Sequence, residues 1–323
     1  MNIKIYETSS RNQQKYDITN IVSSPRWTTS LGSQAGTFEF SIQKDKAVFI
    51  RDGDLIEVVI DGKNTFKGKV FVRGKKKDKF WTIKAYDNLR YLQNQDTIVF
   101  GVGKLSDRFI KICQLQGLSY KVLDANGYQL AEKVEDNESY YSMLEAAIQE
   151  VRENNNARFG IRDNFGTLEL FDLNRGITKL LIGDESLLSD YDYEASIDDA
   201  YNVVKVIKED SETKQRQVFT ASNSGLIDRW GKLQMVEKVN ESDLNTVQLQ
   251  QKANDLLKAN AKEVRTLTLN VVGVFPLQAG NSFTLNISDL QSEGINADSL
   301  ALITKCTHNF NTTHTMSLEV EVI

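Results

Sequence analysis

Gly53-Asp54-Leu55-Ile56-Glu57-Val58-Val59-Ile60, Phe66-Lys67-Gly68-Lys69-Val70-Phe71-Val72 and Phe80-Trp81-Thr82-Ile83-Lys84-Ala85-Tyr86 are three segments in a row with the alternation of half-buried strands. The pattern returns near the other end of the chain. There Gly280-Asn281-Ser282-Phe283-Thr284-Leu285-Asn286-Ile287 is followed by Leu300 to His308, a polar turn, and His314 to Val322. A three-strand pattern repeated around different intervening sequence predicts a duplicated β-module. A chain with two copies of one face doubles the equivalent faces in any ring it forms, which favours assembly over catalysis.

Outward from the first copy, Met1 to about Asp96 has a β pattern throughout. Phe38, Phe40 and Ile42 share one face, and Asp61-Gly62 marks a hairpin turn that needs positive φ. Short strands with turn signals between them predict a barrel or a sandwich. From about Thr97 the period becomes helical. Ser106 is the expected cap of a helix carrying Phe109, Ile110, Ile112, Cys113 and Leu115, with Gly117 at the left-handed stop. Ser139 caps a second helix, with Met143, Leu144, Ala147 and Val151 on its apolar stripe, which ends at Asn154-Asn155-Asn156. A hairpin turning at Asp163-Asn164-Phe165-Gly166 follows.

From about Asp184 the β pattern resumes, with strands at Val203 to Ile207, Arg216 to Ala221 and Thr266 to Val272. One helix interrupts them, from a cap at Ser242 to Glu263, with Leu249, Ala253, Leu256 and Leu257 on one face. It is expected as an excursion over a sheet edge or a neighbouring subunit. The organisation is therefore mainly β with an α+β insertion: a β-domain over residues 1–96, a small α+β domain over 97–183, and a second β-domain over 184–323 with a helical excursion at about 242–263.

The chain has 323 residues, 40% hydrophobic and 26% charged, which suits two or three domains with ordinary cores. No apolar run approaches the roughly 20 residues of a membrane helix. The N-terminus begins as a strand rather than a secretory leader, so the expected location is the cytoplasm until assembly. A net charge of −5 argues against a dedicated nucleic-acid binder. Cys113 and Cys306 are expected as separate buried hydrophobes without a disulfide.

Little in the sequence points to chemistry. Cys306, His308 and His314 could gather a metal, but a hairpin with an inward-facing Cys explains all three without one. Gly101-Val102-Gly103-Lys104 fails as a phosphate loop, because Ile98 and Leu105 occupy positions that need Gly and Ser or Thr. The carboxylates at Asp184-Glu185, Asp190, Asp192 and Asp198-Asp199 lie in polar sequence suited to turns. Trp27, Trp81 and Trp230 lie in strand-like sequence where core packing is the expected fate. No catalytic, cofactor or metal site is expected. The run Arg73-Gly74-Lys75-Lys76-Lys77-Asp78-Lys79 is a charged hairpin tip that keeps the turn soluble or meets an acidic neighbouring ring. The candidate partner contacts are Arg73, Lys75, Lys76 and Lys77 of that run, with Leu249 and Leu256 of the helix.

Gly53-Asp54-Leu55-Ile56, Phe66-Lys67-Gly68-Lys69-Val70, Tyr86-Asp87-Asn88-Leu89-Arg90-Tyr91-Leu92 and Tyr201-Asn202-Val203-Val204-Lys205-Val206 together resemble the XkdQ/YqbQ-type baseplate hub proteins of contractile phage tails, PBSX-like prophages and R-type bacteriocins. The resemblance covers essentially the whole chain and brings no catalytic motif. It implies two tube-protein-like β-barrels per chain in a homotrimer that matches the hexameric tail tube to a threefold spike. The implied partners are the tail tube protein, a spike or LysM-type baseplate protein and the tape-measure protein, with DNA only in transit and no membrane. The rival expectation is a tail-tip cell-wall hydrolase using carboxylates of the middle domain, or a carbohydrate-binding tail component.

Overall fold

Strands form along most of the chain wherever the apolar residues alternate. In the computed structural model, which describes residues 1–32, 34–43, 49–75, 77, 80–209, 216–239 and 245–323, the first strands are β1 Ile3–Thr8, β2 Lys15–Asp17, β3 Val22–Ser30, β4 Thr37–Gln43, β5 Leu55–Ile60, β6 Lys63–Lys75, β7 Phe80–Tyr86 and β8 Gln95–Phe100. The middle of the chain supplies α1 Leu105–Leu115, β9 Tyr120–Val122, β10 Lys133–Ser139, α2 Tyr140–Asn155, β11 Phe159–Asn164 and β12 Thr167–Asp172. Then come β13 Ile177–Gly183, β14 Leu188–Ser196, β15 Val203–Glu209, β16 Arg216–Ser222, α3 Ser224–Trp230, β17 Gln234–Val239 and α4 Thr246–Asn260. The chain closes with β18 Val264–Val272, β19 Ser282–Asn286, β20 Ser299–Phe310 and β21 His314–Val322.

Two compact units result: Met1–Tyr191 with Thr268–Ile323, and Asp192–Leu267. In the larger unit one sheet runs in the order β21-β20-β3-β4-β7-β6-β5-β1-β2, with β18 and β14 beyond β21 and β13 joined through β19 to β20. Phe38, Phe40, Ile56, Val58, Ile60, Ile83 and Ala85 fill its core at 3% exposure or less. A second core in the same unit gathers α1, α2 and the β11–β12 hairpin around Phe109, Ile112, Leu144 and Leu168. The smaller unit is α4 laid on a three-stranded sheet ordered β16-β15-β17, with Leu249 and Ala253 packed against Val204, Val206 and Ala221.

The sequence repeat is a repeat of backbone geometry. β5-β6-β7 and β19-β20-β21 are both antiparallel meanders. Each opens on a positive φ that favours glycine, +84° at Gly53 and +87° at Gly280. Gly53 N–H donates to the Val70 carbonyl and Val70 N–H to that of Asp54; Gly280 donates to Ile303 and Ile303 to Asn281. The side chain after each glycine closes the turn, with Arg51 N–H on Asp54 and Gln278 N–H on Asn281. One strand beyond, each copy carries a register shift at the matching place, between Val70 and Val72 and between Ile303 and Lys305. The likeness ends at the meander, since β1 pairs antiparallel with β5 whereas β13 pairs parallel with β19.

Several local expectations hold. Ser139 accepts the Ser142 N–H at the start of α2, Asn156 ends that helix in the left-handed region, and Asp61, Gly62 and Gly117 have positive φ. Others are corrected. The cap of α1 is Lys104, whose N–H donates to Asp107, while Ser106 is buried inside the helix. α4 is capped by Asn245, which accepts from Val247 and Gln248 N–H; Ser242 lies outside the described residues. α4 also covers a sheet face rather than an edge. Trp230 ends the short helix α3 rather than sitting in a strand.

Because the two opening glycines share one conformation but not one environment, they predict unequal costs. A Cβ at Gly53 meets open space, whereas one at Gly280 falls 2.8 Å from the Phe171 ring. Gly53→Ala is expected to cost about 1 to 2 kcal/mol from conformation alone, and Gly280→Ala distinctly more. Urea unfolding of the two variants checks this, and equal losses would contradict it.

Candidate assembly surfaces

The two ends of the chain meet along one seam, where β3 pairs antiparallel with β20 from Arg26 opposite Asn309 to Ser30 opposite Lys305. On the inner side Trp27 stacks on His308, the residue opposite it, with ring centres 5.1 Å apart. Phe310 and His314 continue the stack. The Leu277 carbonyl oxygen, 2.6 Å from His308 Nε2, can only accept, so that nitrogen carries the proton. His308 Nδ1 therefore accepts from His314 Nε2 at 2.9 Å, which fixes both tautomers in the neutral state. Burial holds the His308 pKa down at about 4 and lowers that of His314 as well. Cys306 shares this face and bonds the same Leu277 carbonyl. Among the described residues no group of three His, Cys, Asp or Glu is placed to hold a metal.

The other side of the seam is polar across several strands. Lys84 of β7 bridges Glu39 of β4 at 2.9 Å, Arg26 of β3 donates to Asn309 of β20 at 3.0 Å, and Lys305 of β20 bridges Glu319 of β21 at 2.7 Å. Thr28 and Thr307 share a hydrogen bond across the seam itself. Each of these cations is bonded within the sheet. None of these residues stood out in the sequence, because their partners are brought together only by the pairing of β3 with β20.

The predicted basic contacts divide. Arg73 forms a fork with Asp52, and Lys75 lies over the Trp81 ring at 4.7 Å. Lys77 is exposed, and Lys76 lies outside the described residues. Beside them Phe49 and Phe80 are 52% and 44% exposed, with Arg51 over the Phe49 ring. On α4 the predicted contact at Leu249 is corrected, since Leu249 is fully buried, while half-buried Leu256 packs against the same core.

Two buried carboxyl pairs tie the larger unit together. Asp54 accepts from Arg51 N–H and from the Ser10 N–H and hydroxyl, and the carboxyl of Glu7 is buried beside it. Burial, then the Asp54 charge, raise the Glu7 pKa to about 7. Asp87 of the Tyr86-to-Leu92 motif caps its 3-10 turn through Leu89 N–H, and the next residue's N–H donates to Asp163. Burial pushes both of these carboxyls up. The motif is thus a joint between the first β-module and the β11–β12 hairpin.

The seam and the Glu7 pair have opposite signs in pH. His308, with its folded pKa below 6.5, contributes stability that is complete above pH 6.5 and is lost as pH falls toward 4, on the order of 3 kcal/mol. Glu7, raised from 4.5 to about 7, contributes stability that is present below pH 4.5 and is lost as pH rises through 7. His308→Gln should flatten the acid limb of the urea midpoint against pH, and Glu7→Gln the alkaline limb. Curves parallel to the parent's would refute both assignments.

Comparison with known proteins agrees with this architecture. The YqbQ-like family model matches residues 25–321. The 43 kDa tail protein of prophage MuSo2 from Shewanella oneidensis superposes with a TM-score of 0.70 at 14% identity, over 100% of this chain and 98% of its own. A tail protein from Neisseria meningitidis gives 0.67 at 15% identity, over 99% and 96%. The E. coli c3393 protein, a type VI secretion component described as similar to T4 phage tail proteins gp27 and gp5, gives 0.54 at 10% identity, over 100% and 77%. The curated proteins contain no match. By family and by fold, the chain belongs to the YqbQ-like proteins and has the architecture of prophage tail proteins.

Proposed function

We propose that this chain is the structural hub of a contractile-tail baseplate, a homotrimer that matches the sixfold tail tube to a threefold spike. The observation that carries the reading is the duplicated corner, in which Gly53 and Gly280 share conformation, hydrogen bonds and a downstream bulge. Three chains then offer six copies of one meander, which is how a threefold object meets a sixfold one. On this reading residues 1–96 and 184–323 supply two tube-like barrels around the α+β domain at 97–183, with Asp192–Leu267 inserted in the second.

The polar side of the seam lines the channel. Its cations are bonded to Glu39, Asn309 and Glu319 in the same sheet, so they offer passing phosphates little to hold. The tube protein docks on one end and a spike or LysM-type protein on the other, with the tape-measure protein and DNA only in transit. The likeness to tail proteins supports this assignment, as does the description of the E. coli relative as similar to phage tail components. Subunit contacts that survive sheath contraction belong to the obligate class, on the order of 2,000 Å² or more.

Mass measurement of the purified chain is expected to give three chain masses; a stable dimer counts against the hub. Incubation with peptidoglycan is expected to leave it intact, and clearing would favour the tail-tip hydrolase instead. Thr28→Arg with Thr307→Arg places unmatched cations on the proposed channel wall. Particles carrying both should assemble normally yet release DNA several-fold more slowly, with the delay shrinking at high salt. Unchanged release would remove this face from the channel.

A further inference from the structure

The hairpin corner at Lys75 is built unlike a tip that serves only solubility. Lys75 and Lys77 are exposed and have no ion-pair partner among the described residues. Beside them Phe49 and Phe80 expose about half their surface, and Arg51 and Lys75 lie on aromatic faces. A solubilising tip has no use for exposed phenyl rings, whereas an interface combines aromatic area with unneutralised charge.

The same chain carries a complementary strip. No Lys or Arg falls between Asp184 and Asp199. Within this stretch β14 alternates so that Asp190, Asp192 and Glu194 share one exposed face, and none of the three has an ion-pair partner among the described residues. β14 stands at one end of the sheet order, so one of its backbone edges pairs with no described strand. Acidic side chains alone would be ordinary edge protection. Their match is the unneutralised basic corner elsewhere on the same molecule.

We infer that the Phe49, Lys75, Lys77 and Phe80 corner docks on the acidic β14 face of a second copy of this chain. Two unlike patches on one molecule make a head-to-tail contact, which closes into a ring when its rotation allows. The inference rests on the homotrimer reading and names the surfaces that form it. It also accounts for the split of charge in a chain that is acidic overall.

A charge swap tests it on the full chain, with the state of association read by light scattering and the fold of each variant checked by thermal unfolding. Lys75→Glu with Lys77→Glu is expected to weaken association at least about tenfold, and so is Asp190→Lys with Asp192→Lys. All four changes in one chain should restore the trimer, which a merely misfolded surface would not do. Wild-type association should also weaken as salt rises. If both reversed chains remain trimers, this interface is wrong and the trimer stands. If the wild-type chain is a monomer or a dimer throughout, the trimer reading fails and takes the interface with it.

Discussion

The larger unit depends on one antiparallel contact, β3 against β20, made by residues nearly the whole chain apart. Without it the two meanders would lie in separate sheets, each with an open edge. With it they form one surface that is aromatic inside and polar outside. The stack of Trp27, His308, Phe310 and His314 fixes the register, because a slip of one residue would carry His308 to the solvent side and leave the Leu277 carbonyl without its donor. A neutral histidine pair suits this place. Its donors and acceptors are used in one direction only, so the arrangement has a single hydrogen-bonded solution.

How much of this was legible in the sequence follows from the range of the interactions involved. The two meanders were readable because a strand's alternation and the glycine at its entrance are local requirements, and the same requirement left the same residues at Gly53 and Gly280. Ser139 and Asn156 were readable for the same reason. The caps of α1 and α4 were not, because several residues near each helix start can serve: α1 starts at Lys104, whose N–H is held by Asp107, rather than at Ser106, and α4 starts at Asn245. Leu249 looked like a contact because its stripe had no obvious local partner. Its partner is the sheet of β15, β16 and β17, which the α4 stripe covers. The polar face was invisible, since Arg26 and Asn309 gain their meaning only from the seam.

The two copies of the corner have diverged where they meet the rest of the chain. Asp54 accepts outward, from Ser10, and stands beside Glu7, whose pKa burial and then the Asp54 charge push up. Asn281 does the reverse: its amide donates to the Gly176 carbonyl and involves no titrating group. One backbone solution therefore carries two hydrogen-bond polarities. This is what a duplicated module permits once the turn itself is satisfied by the backbone and the adjacent side chain.

The electrostatics of the exposed surfaces separate into two kinds, and the difference assigns them different uses. On the polar side of the seam, cations and carboxylates sit one strand apart and are consumed by each other, which leaves a wet surface with little field beyond it. At the Lys75 corner and along β14, like charges stand together with no ion-pair partner among the described residues, and each patch projects a field that repels its own kind. A monomer gains nothing from keeping both patches unneutralised. An assembly that brings one against the other removes both penalties in a single contact. It also forbids corner-to-corner and strand-to-strand pairing, so the same charges that attract the correct neighbour set the head-to-tail direction.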